Sequence, residues 1–350
     1  MRLRRKAAQL GSLVSVSRTG AAAYGCRPLT VGRLARRVRR RQGFEYPEAL
    51  RLGLLDPSMP DARRAGYISR HTNLEAQAPL NGDELRSPAM VGDKAVFYRY
   101  CAAVGIPVPA LHGIIDRRGS GWGAPDRIIS SREDWTAFAT RDLPEEFVVK
   151  PSEGYGGRGV AIVRRAAAAG VWDTIHADPE FDVWIVQERL RNHPDLVAIA
   201  GDDSLHTARI ATLVGRDGSS DLLFGFLKLS LSGGPSDNFL GGTTGNAVVR
   251  IDLADGRLGP VVLPRPDGFG LVERPDSPLT GERVEGRLLP FWPEVSALVT
   301  GGAPHFMPMR ALGWDVALTP GGPMIVEANT RWLPFPDPSM ADVLRRVRAA

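Results

Sequence analysis

Gly313-Trp-Asp-Val-Ala-Leu-Thr-Pro-Gly-Gly-Pro-Met-Ile-Val-Glu-Ala-Asn329 reads as a β-hairpin. Two apolar runs, Val316 to Leu318 and Met324 to Val326, flank Pro320-Gly321-Gly322, a strong turn signal. Closing the chain at that turn brings Asp315 beside Glu327, at the separation of roughly 4.5–5.5 Å between Cβ atoms that cross-strand neighbours have. Side chains alternate along a strand, so Glu327 and Asn329 share a face. Two carboxylates and an amide oxygen then converge on one patch. Like charges that close repel unless a cation lies between them. Hard oxygen ligands at a partly open site suit Mg²⁺, which typically takes one or two carboxylates together with substrate phosphates. Asp315, Glu327 and Asn329 are therefore the expected metal ligands; scattered acids on an exposed hairpin are the competing reading.

At 350 residues the chain has room for two or three domains. No apolar run of about 18 residues marks a membrane span. Cys26 and Cys101 are the only cysteines, too few for a disulfide framework or a Cys-x-x-Cys metal pattern, and a reducing, cytoplasmic setting is expected. The net charge of +5 is unevenly spread. Residues 1–44 hold twelve Arg/Lys and no acid, leaving 32 basic against 39 acidic residues elsewhere. The body is therefore acidic, and no nucleic-acid partner is expected for it. Of the 44 basic residues only Lys6, Lys94, Lys150 and Lys228 are lysine. Lysine is a compact point charge where arginine is a planar fork, a difference that a phosphate site can use.

Working back along the chain, residues 1–44 suit a basic arm with a helix around Leu34 and Val38. Such an arm can lie on an anionic membrane surface, dock on an acidic partner, serve as a transit peptide or stay solvated. Residues 45–90, punctuated by Pro47, Pro57, Pro60, Pro79 and Pro88, form a helical lead-in. Asp93 to Val104 is helical, Leu111 to Ile115 a strand, and Arg132 to Thr140 a helix. Phe147 to Lys150 is a short strand that enters Pro151-Ser-Glu-Gly-Tyr-Gly-Gly-Arg-Gly159, and Val160 to Val163 returns. The result is a glycine-rich hairpin whose backbone N–H groups can approach phosphate oxygens, with Lys150 adding charge. No Gly-Lys-Ser/Thr follows the glycines, which excludes a P-loop, and a strand follows where a Rossmann turn needs a helix. Trp184 to Leu190, Ser204 to Val214, Leu222 to Leu231 and Val248 to Leu253 are strands. In Ser204 to Val214, Thr207, Arg209 and Ala211 share one face, and His206, Ala208 and Ile210 the other. Ser232 to Gly245 reads as a mobile loop bearing Asp237-Asn238, residues 259–290 as an irregular Pro-rich connection, and Pro293 to Thr300 and Ala341 to Val347 as helices.

In order, the chain carries Asn81, Asp93-Lys94, Gly105-Ile-Pro-Val-Pro109, Lys150-Pro151 with Gly154 to Gly159, Gln187-Glu188 with Asn192-His193-Pro194, Arg209, Asp237-Asn238 with Gly241-Gly242, Gly313-Trp-Asp315 and Glu327-Ala-Asn329. This succession resembles the ATP-grasp superfamily, and within it the sugar-transfer-associated ATP-grasp family of bacterial surface-polysaccharide gene clusters, over roughly residues 65–335. The resemblance implies an α+β fold, two α+β subdomains gripping ATP, behind a helical N-terminal extension. The expected parts are a basic arm (1–44), a lead-in (45–90), the N-terminal part of the core (91–145), a lid subdomain with the glycine-rich hairpin (146–200) and a C-terminal subdomain with the metal and substrate site (201–350).

The resemblance also implies roles. Lys94 and Lys150 would contact ATP phosphates beneath the lid glycines Gly154, Gly156, Gly157 and Gly159. Gln187 to Leu190 would hold adenine with Glu188 close by, and Asp195 is the candidate for ribose. Asp315, Glu327 and Asn329 would ligate Mg²⁺. Arg209 and Arg331 would clamp an anionic substrate, with Lys228, Asp237 and Asn238 on the same side; Arg331-Trp332-Leu333-Pro334 stands where the family usually has Pro-Gly after the metal asparagine. The implied activity is an ATP- and Mg²⁺-dependent ligase joining a carboxylate to an amine or thiol through an acylphosphate, on a sugar, peptide or cell-surface polysaccharide precursor. A phosphotransferase acting on a hydroxyl and a nucleotide-responsive scaffold in a polysaccharide assembly complex are the alternatives. Charge neutralisation by Lys, Arg and Mg²⁺ suffices for either transfer, and the six histidines are too scattered for a zinc site.

Overall fold

The computed structural model describes residues 2–81, 88–154, 156–202, 204–231 and 237–350. Its N-terminal part is helical: α1 (Arg2–Ala23), α2 (Pro28–Gln42), α3 (Tyr46–Arg51), α4 (Asp61–Ala65), α5 (Arg70–Asn81) and α6 (Pro88–Gly92). The arm expected at 1–44 is not separate from the lead-in. Val31, Leu34, Ala35 and Val38 fall on one stripe of α2 and are buried with Leu13, Val16 and Ala21 of α1 against Phe44, Leu50, Leu54 and Leu55. That spacing gives a single apolar face beneath a basic one. Gly32 lets the helices close on each other, since a Cβ there would meet Ser17 Oγ at 2.9 Å. No helix among the described residues is long and apolar enough to cross a membrane.

α7 (Lys94–Ala103) leads into a first sheet built from β1 (Leu111–Asp116), β2 (Gly121–Gly123), β3 (Arg127–Ile129), β4 (Glu146–Pro151), β5 (Ala161–Arg164) and β6 (Val183–Glu188). Its order is β3-β2-β1-β6-β4-β5, and every pairing is antiparallel. α8 (Arg132–Arg141) and α9 (Ala169–Ala177) cover it through Trp135, Phe138 and Ile175. The boundary expected between 145 and 146 falls inside this sheet, because β1 pairs with β6 and not with its sequence neighbours alone.

α10 (Pro194–Ala200) connects to a seven-stranded antiparallel sheet. It contains β7 (Thr207–Val214), β8 (Ser220–Leu229), β9 (Ala247–Ile251), β10 (Leu258–Pro264), β11 (Leu271–Arg274), β12 (Ala311–Thr319) and β13 (Gly322–Asn329), with α11 (Trp292–Gly302) and α12 (Met340–Ala349) packed on it. The order is β11-β10-β9-β8-β7-β12-β13. The segment read as irregular, 259–290, in fact supplies β10 and β11. Pro260 hides the first of these, and it sits where the β9–β10 register shifts between Leu258 and Val261, a position that does not need its missing N–H.

The opening hairpin is present with Asp315 opposite Glu327 and Gly313 opposite Asn329. Its register slips once, so that Val316 faces Ile325 and Val326 is the extra residue of a β-bulge. One face of β7, β8 and β12 changes character along its length. Ala211, Leu213, Phe224 and Phe226 sit in an apolar core with Trp332 and α12, whereas Thr207, Arg209, Lys228 and Asp315 on the same face form a buried polar end. The opposite face, with Ala208, Ile210, Val316 and Leu318, packs on α7 and α11.

Candidate functional site

The polar end of the large sheet faces the small sheet across a cavity of about 420 Å³, a size suited to a small-molecule ligand. The small sheet contributes Val148 and Lys150 from β4, Ile162 from β5, Gln187 from β6, and the glycine loop. Thr207, Lys228, Asp315, Val326 and Glu327 form the opposite wall, and Lys94 enters from α7.

Asp93 fixes the start of α7 by accepting the Ala95 N–H at 2.9 Å. Ser152 ties that turn to the end of β4: its Oγ donates to Asp93, and its carbonyl accepts the Lys94 N–H at 3.0 Å. Lys94 and Lys150, 8% and 6% exposed, thereby face one cleft. The Lys94 ammonium donates to the Gly154 carbonyl of the loop. Lys150 donates to the Tyr98 hydroxyl at 3.0 Å. Tyr98 in turn donates to the Val326 carbonyl at 2.8 Å and lies 3.0 Å from Gln187 Oε1. The bulge thus presents a main-chain acceptor to a side chain from α7. Burial lowers both lysine pKa values; for Lys150 burial and the neighbouring Lys94 charge bring it down to about 7, with Glu327 opposing.

Across the cavity, Arg209 grips Asp315 with Nε at 2.5 Å and Nη2 at 2.9 Å. Lys228 bridges Asp315 at 3.2 Å and Asp237 at 2.9 Å, and Asp237 accepts the Thr207 N–H at 3.0 Å and hydroxyl at 2.6 Å. Glu327 accepts from Asn329 Nδ2 at 3.2 Å. The two facing carboxyls titrate in opposite directions. Burial works to raise Asp315, but Arg209 and Lys228 outweigh it and hold the group well below the usual carboxylate range. Glu327 is raised by burial and by the Asp315 charge, against Lys94 and Lys228. This pair fits a divalent cation: the donors are hard oxygens, and a metal between the two carboxyls would offset the repulsion that raises Glu327. Among the described residues no group of three His, Cys, Asp or Glu forms a metal cluster; the donor set has two carboxylates and an amide.

Most of the residues expected at the site line the cavity: Lys94, Lys150, Gly154, Gly156, Gly157, Gln187, Leu190, Lys228, Asp237, Asn238, Asp315 and Glu327. Gly156 and Gly157 have φ of 69° and 77°, a conformation that favours glycine. Gly159, with φ of 70°, shares that conformation and is also closely packed, since a Cβ there would meet Pro151 at 2.8 Å. Glu188 accepts the Ala110 N–H at 3.1 Å and joins β6 to the start of β1 outside the cavity lining. Asp195, expected near ribose, is an exposed residue of the first turn of α10. Arg331 is exposed and does not line the cavity, and Arg209 is committed to Asp315, so the geometry does not form the expected arginine clamp. Tyr155 and residues 232–236 of the two expected loops lie outside the described residues. Sequence reasoning missed Tyr98 and Thr207. Tyr98 stands four residues after Lys94, on the same face of α7, which was the available signal. Asn81 is buried and pins the hairpin by bonding Ala311 N–H and the Ala311 and Thr330 carbonyls.

A family model described as sugar-transfer associated ATP-grasp matches residues 80–342, and the chain belongs to that family. Solved structures with a similar arrangement include the biotin carboxylase domain of 2-oxoglutarate carboxylase from Hydrogenobacter thermophilus, in complex with MgADP, ADP and bicarbonate, at 15% identity over 74% of this chain and 46% of that one, with a TM-score of 0.45. Biotin carboxylase from Campylobacter jejuni matches at 9% identity over 75% of this chain and 47% of that one, TM-score 0.46. D-cycloserine synthetase matches at 15% identity over 73% and 70%, TM-score 0.41. The chain spans about half the length of the first solved structures it matches. No curated protein sequence matches it.

Proposed function

We propose that this ATP-grasp chain is an ATP- and Mg²⁺-dependent ligase that joins a carboxylate to an amine or a thiol, on a sugar, peptide or cell-surface polysaccharide precursor, in the cytoplasm. The observation that carries the reading is the convergence of Lys94, Lys150, Asp315 and Glu327 on one cavity. Val148, Ile162 and Leu190 give that cavity apolar walls for a nucleotide base. Lys94 and Lys150 stand beside the loop glycines as the phosphate contacts. Asp315, Glu327 and Asn329 are the metal ligands, and Mg²⁺ supplies charge neutralisation at the phosphates. Arg209 is a positioning residue: its bidentate grip sets the Asp315 carboxylate and keeps it ionised. Lys228, Thr207 and Asn238 lie at the substrate end.

In this reading a carboxylate substrate takes the γ-phosphoryl group of ATP, giving an acylphosphate and ADP. An amine or thiol then attacks the acyl carbon, the C–O bond to phosphate breaks, and phosphate leaves while the nucleophile loses its proton. Negative charge grows on oxygen in both steps, which is the charge that the lysines answer. The test is a screen of carboxylates and nucleophiles that scores ADP, free phosphate and phosphorylated product separately. ADP with equal free phosphate, dependent on both substrates, is expected. A phosphorylated acceptor would replace the ligase by a phosphotransferase, and nucleotide binding without turnover across the screen would favour a scaffold.

A further inference from the structure

We propose that the α1–α2 hairpin docks the protein on an anionic lipid surface. The first 44 residues carry twelve Arg/Lys and no acid, and α2 sorts its own by face. α2 buries Val31, Leu34, Ala35 and Val38. Leu29, Arg33, Arg36 and Arg40 then follow at i, i+4, i+7 and i+11, a stripe on the opposite, exposed face. Arg37 and Arg39 are paired with Asp61 and Glu45. Arg33, Arg36 and Arg40 have no acidic partner among the described residues, and neither does exposed Arg18 on α1.

Exposed aliphatic side chains accompany these charges. Leu29 is 73% exposed on α2, and on α1 Leu10 and Val14 are 58% and 43% exposed, one turn apart and one turn before Arg18. Basic and aliphatic groups together on exposed helices suit the boundary between lipid headgroups and acyl chains. Nucleic acid fits less well. Single-strand sites add aromatic platforms for the bases, and here Tyr24 is half-buried and Phe44 buried. The aliphatic groups would have no role against phosphates alone. Since no described helix can span a bilayer, the contact is peripheral.

Vesicle co-sedimentation of the full chain tests this, with phosphatidylcholine vesicles compared with phosphatidylcholine–phosphatidylglycerol vesicles. Binding is expected only with the anionic lipid and is expected to weaken with salt. Each arginine near such a surface is worth roughly fivefold in partitioning, so an Arg33→Gln/Arg36→Gln/Arg40→Gln triple variant should bind about a hundredfold more weakly. A Val14→Ser/Leu29→Ser variant should also weaken binding, by removing the apolar component, while its melting temperature stays near wild type. The proposal is overturned if wild type ignores anionic vesicles, if the arginine variant binds them as wild type does, or if both variants keep vesicle binding while duplex nucleic acid binding is lost.

Discussion

Lys150→Arg keeps a positive charge at the cleft but removes a titration, and the consequence can be worked out. Burial and Lys94 bring Lys150 down to about 7 in the free protein. At about pH 8 such a group is roughly one-tenth charged. A phosphate beside it favours the ammonium form and returns it toward the ordinary lysine value of about 10.4. Nucleotide binding at about pH 8 therefore takes up about 0.9 of a proton at this residue. The sign follows from a pKa depressed in the free state and raised in the bound one: affinity is highest below about pH 7 and falls about tenfold per pH unit above it, until the bound-state pKa is reached. Calorimetric titration with ATP in two buffers of different ionisation enthalpy, without metal so that Glu327 is not engaged, measures the uptake. Arginine stays charged throughout, so in Lys150→Arg only the smaller contribution of Lys94 remains. Wild-type uptake near zero at about pH 8, or the same uptake in Lys150→Arg, would refute the assignment of Lys150 to phosphate.

Glu327→Gln should fold normally and lose Mg²⁺-dependent turnover. Because the Glu327 pKa is raised, Mg²⁺ competes with a proton there to a higher pH than at an ordinary carboxylate, so wild-type metal affinity should rise with pH through that pKa and level off above it; a titration flat in pH would contradict the pairing. Arg209→Ala should lower stability by about 3–5 kcal/mol, the cost of stripping one partner from a buried ion pair, and weaken metal binding as well. A normally stable variant with only a raised substrate KM would instead restore the anionic-clamp role. Asn81→Ala leaves the Ala311 and Thr330 backbone groups without their side-chain partner and should cost about 1–3 kcal/mol in denaturant unfolding; no change would mean the anchor is dispensable.

What could be read from the sequence was local. The hairpin carries its own turn and alternation, so the Asp315–Glu327 register could be read directly, and the glycine loop gave itself away by composition. The Arg209–Asp315 pair could not, because it depends on the register of β7 against β12, 106 positions apart in sequence. The bulge at Val326 was invisible for a similar reason: the Tyr98 hydroxyl that uses its carbonyl comes from 228 residues away. Strands β10 and β11 were hidden behind prolines that the sheet tolerates at a register shift and at a strand end. In α2 the buried stripe is carried by the spacing of Val31, Leu34, Ala35 and Val38, beneath a composition dominated by arginine.

The asymmetry between the two carboxylates links fold to chemistry. Asp315 lies on a strand inside the sheet, between β7 and β13, so it can be flanked by Arg209 from β7 and by Lys228 from β8. Glu327 lies on β13, the last strand of that sheet, and faces the cavity lysines without a matched cation of its own. One carboxylate is thus held ionised and fixed in place, while the other is shifted toward its protonated form and gains most from a cation beside it. Ionising both would leave two buried like charges, with Arg209 and Lys228 already matched to Asp315 and with Lys94, beside Glu327, depressed by burial. The raised Glu327 pKa is the mark of that cost, and the charge of the site is completed by its ligands, phosphates at Lys94 and Lys150 and a metal at Glu327. Metal and nucleotide should therefore bind with positive coupling, each raising the affinity for the other by the same factor.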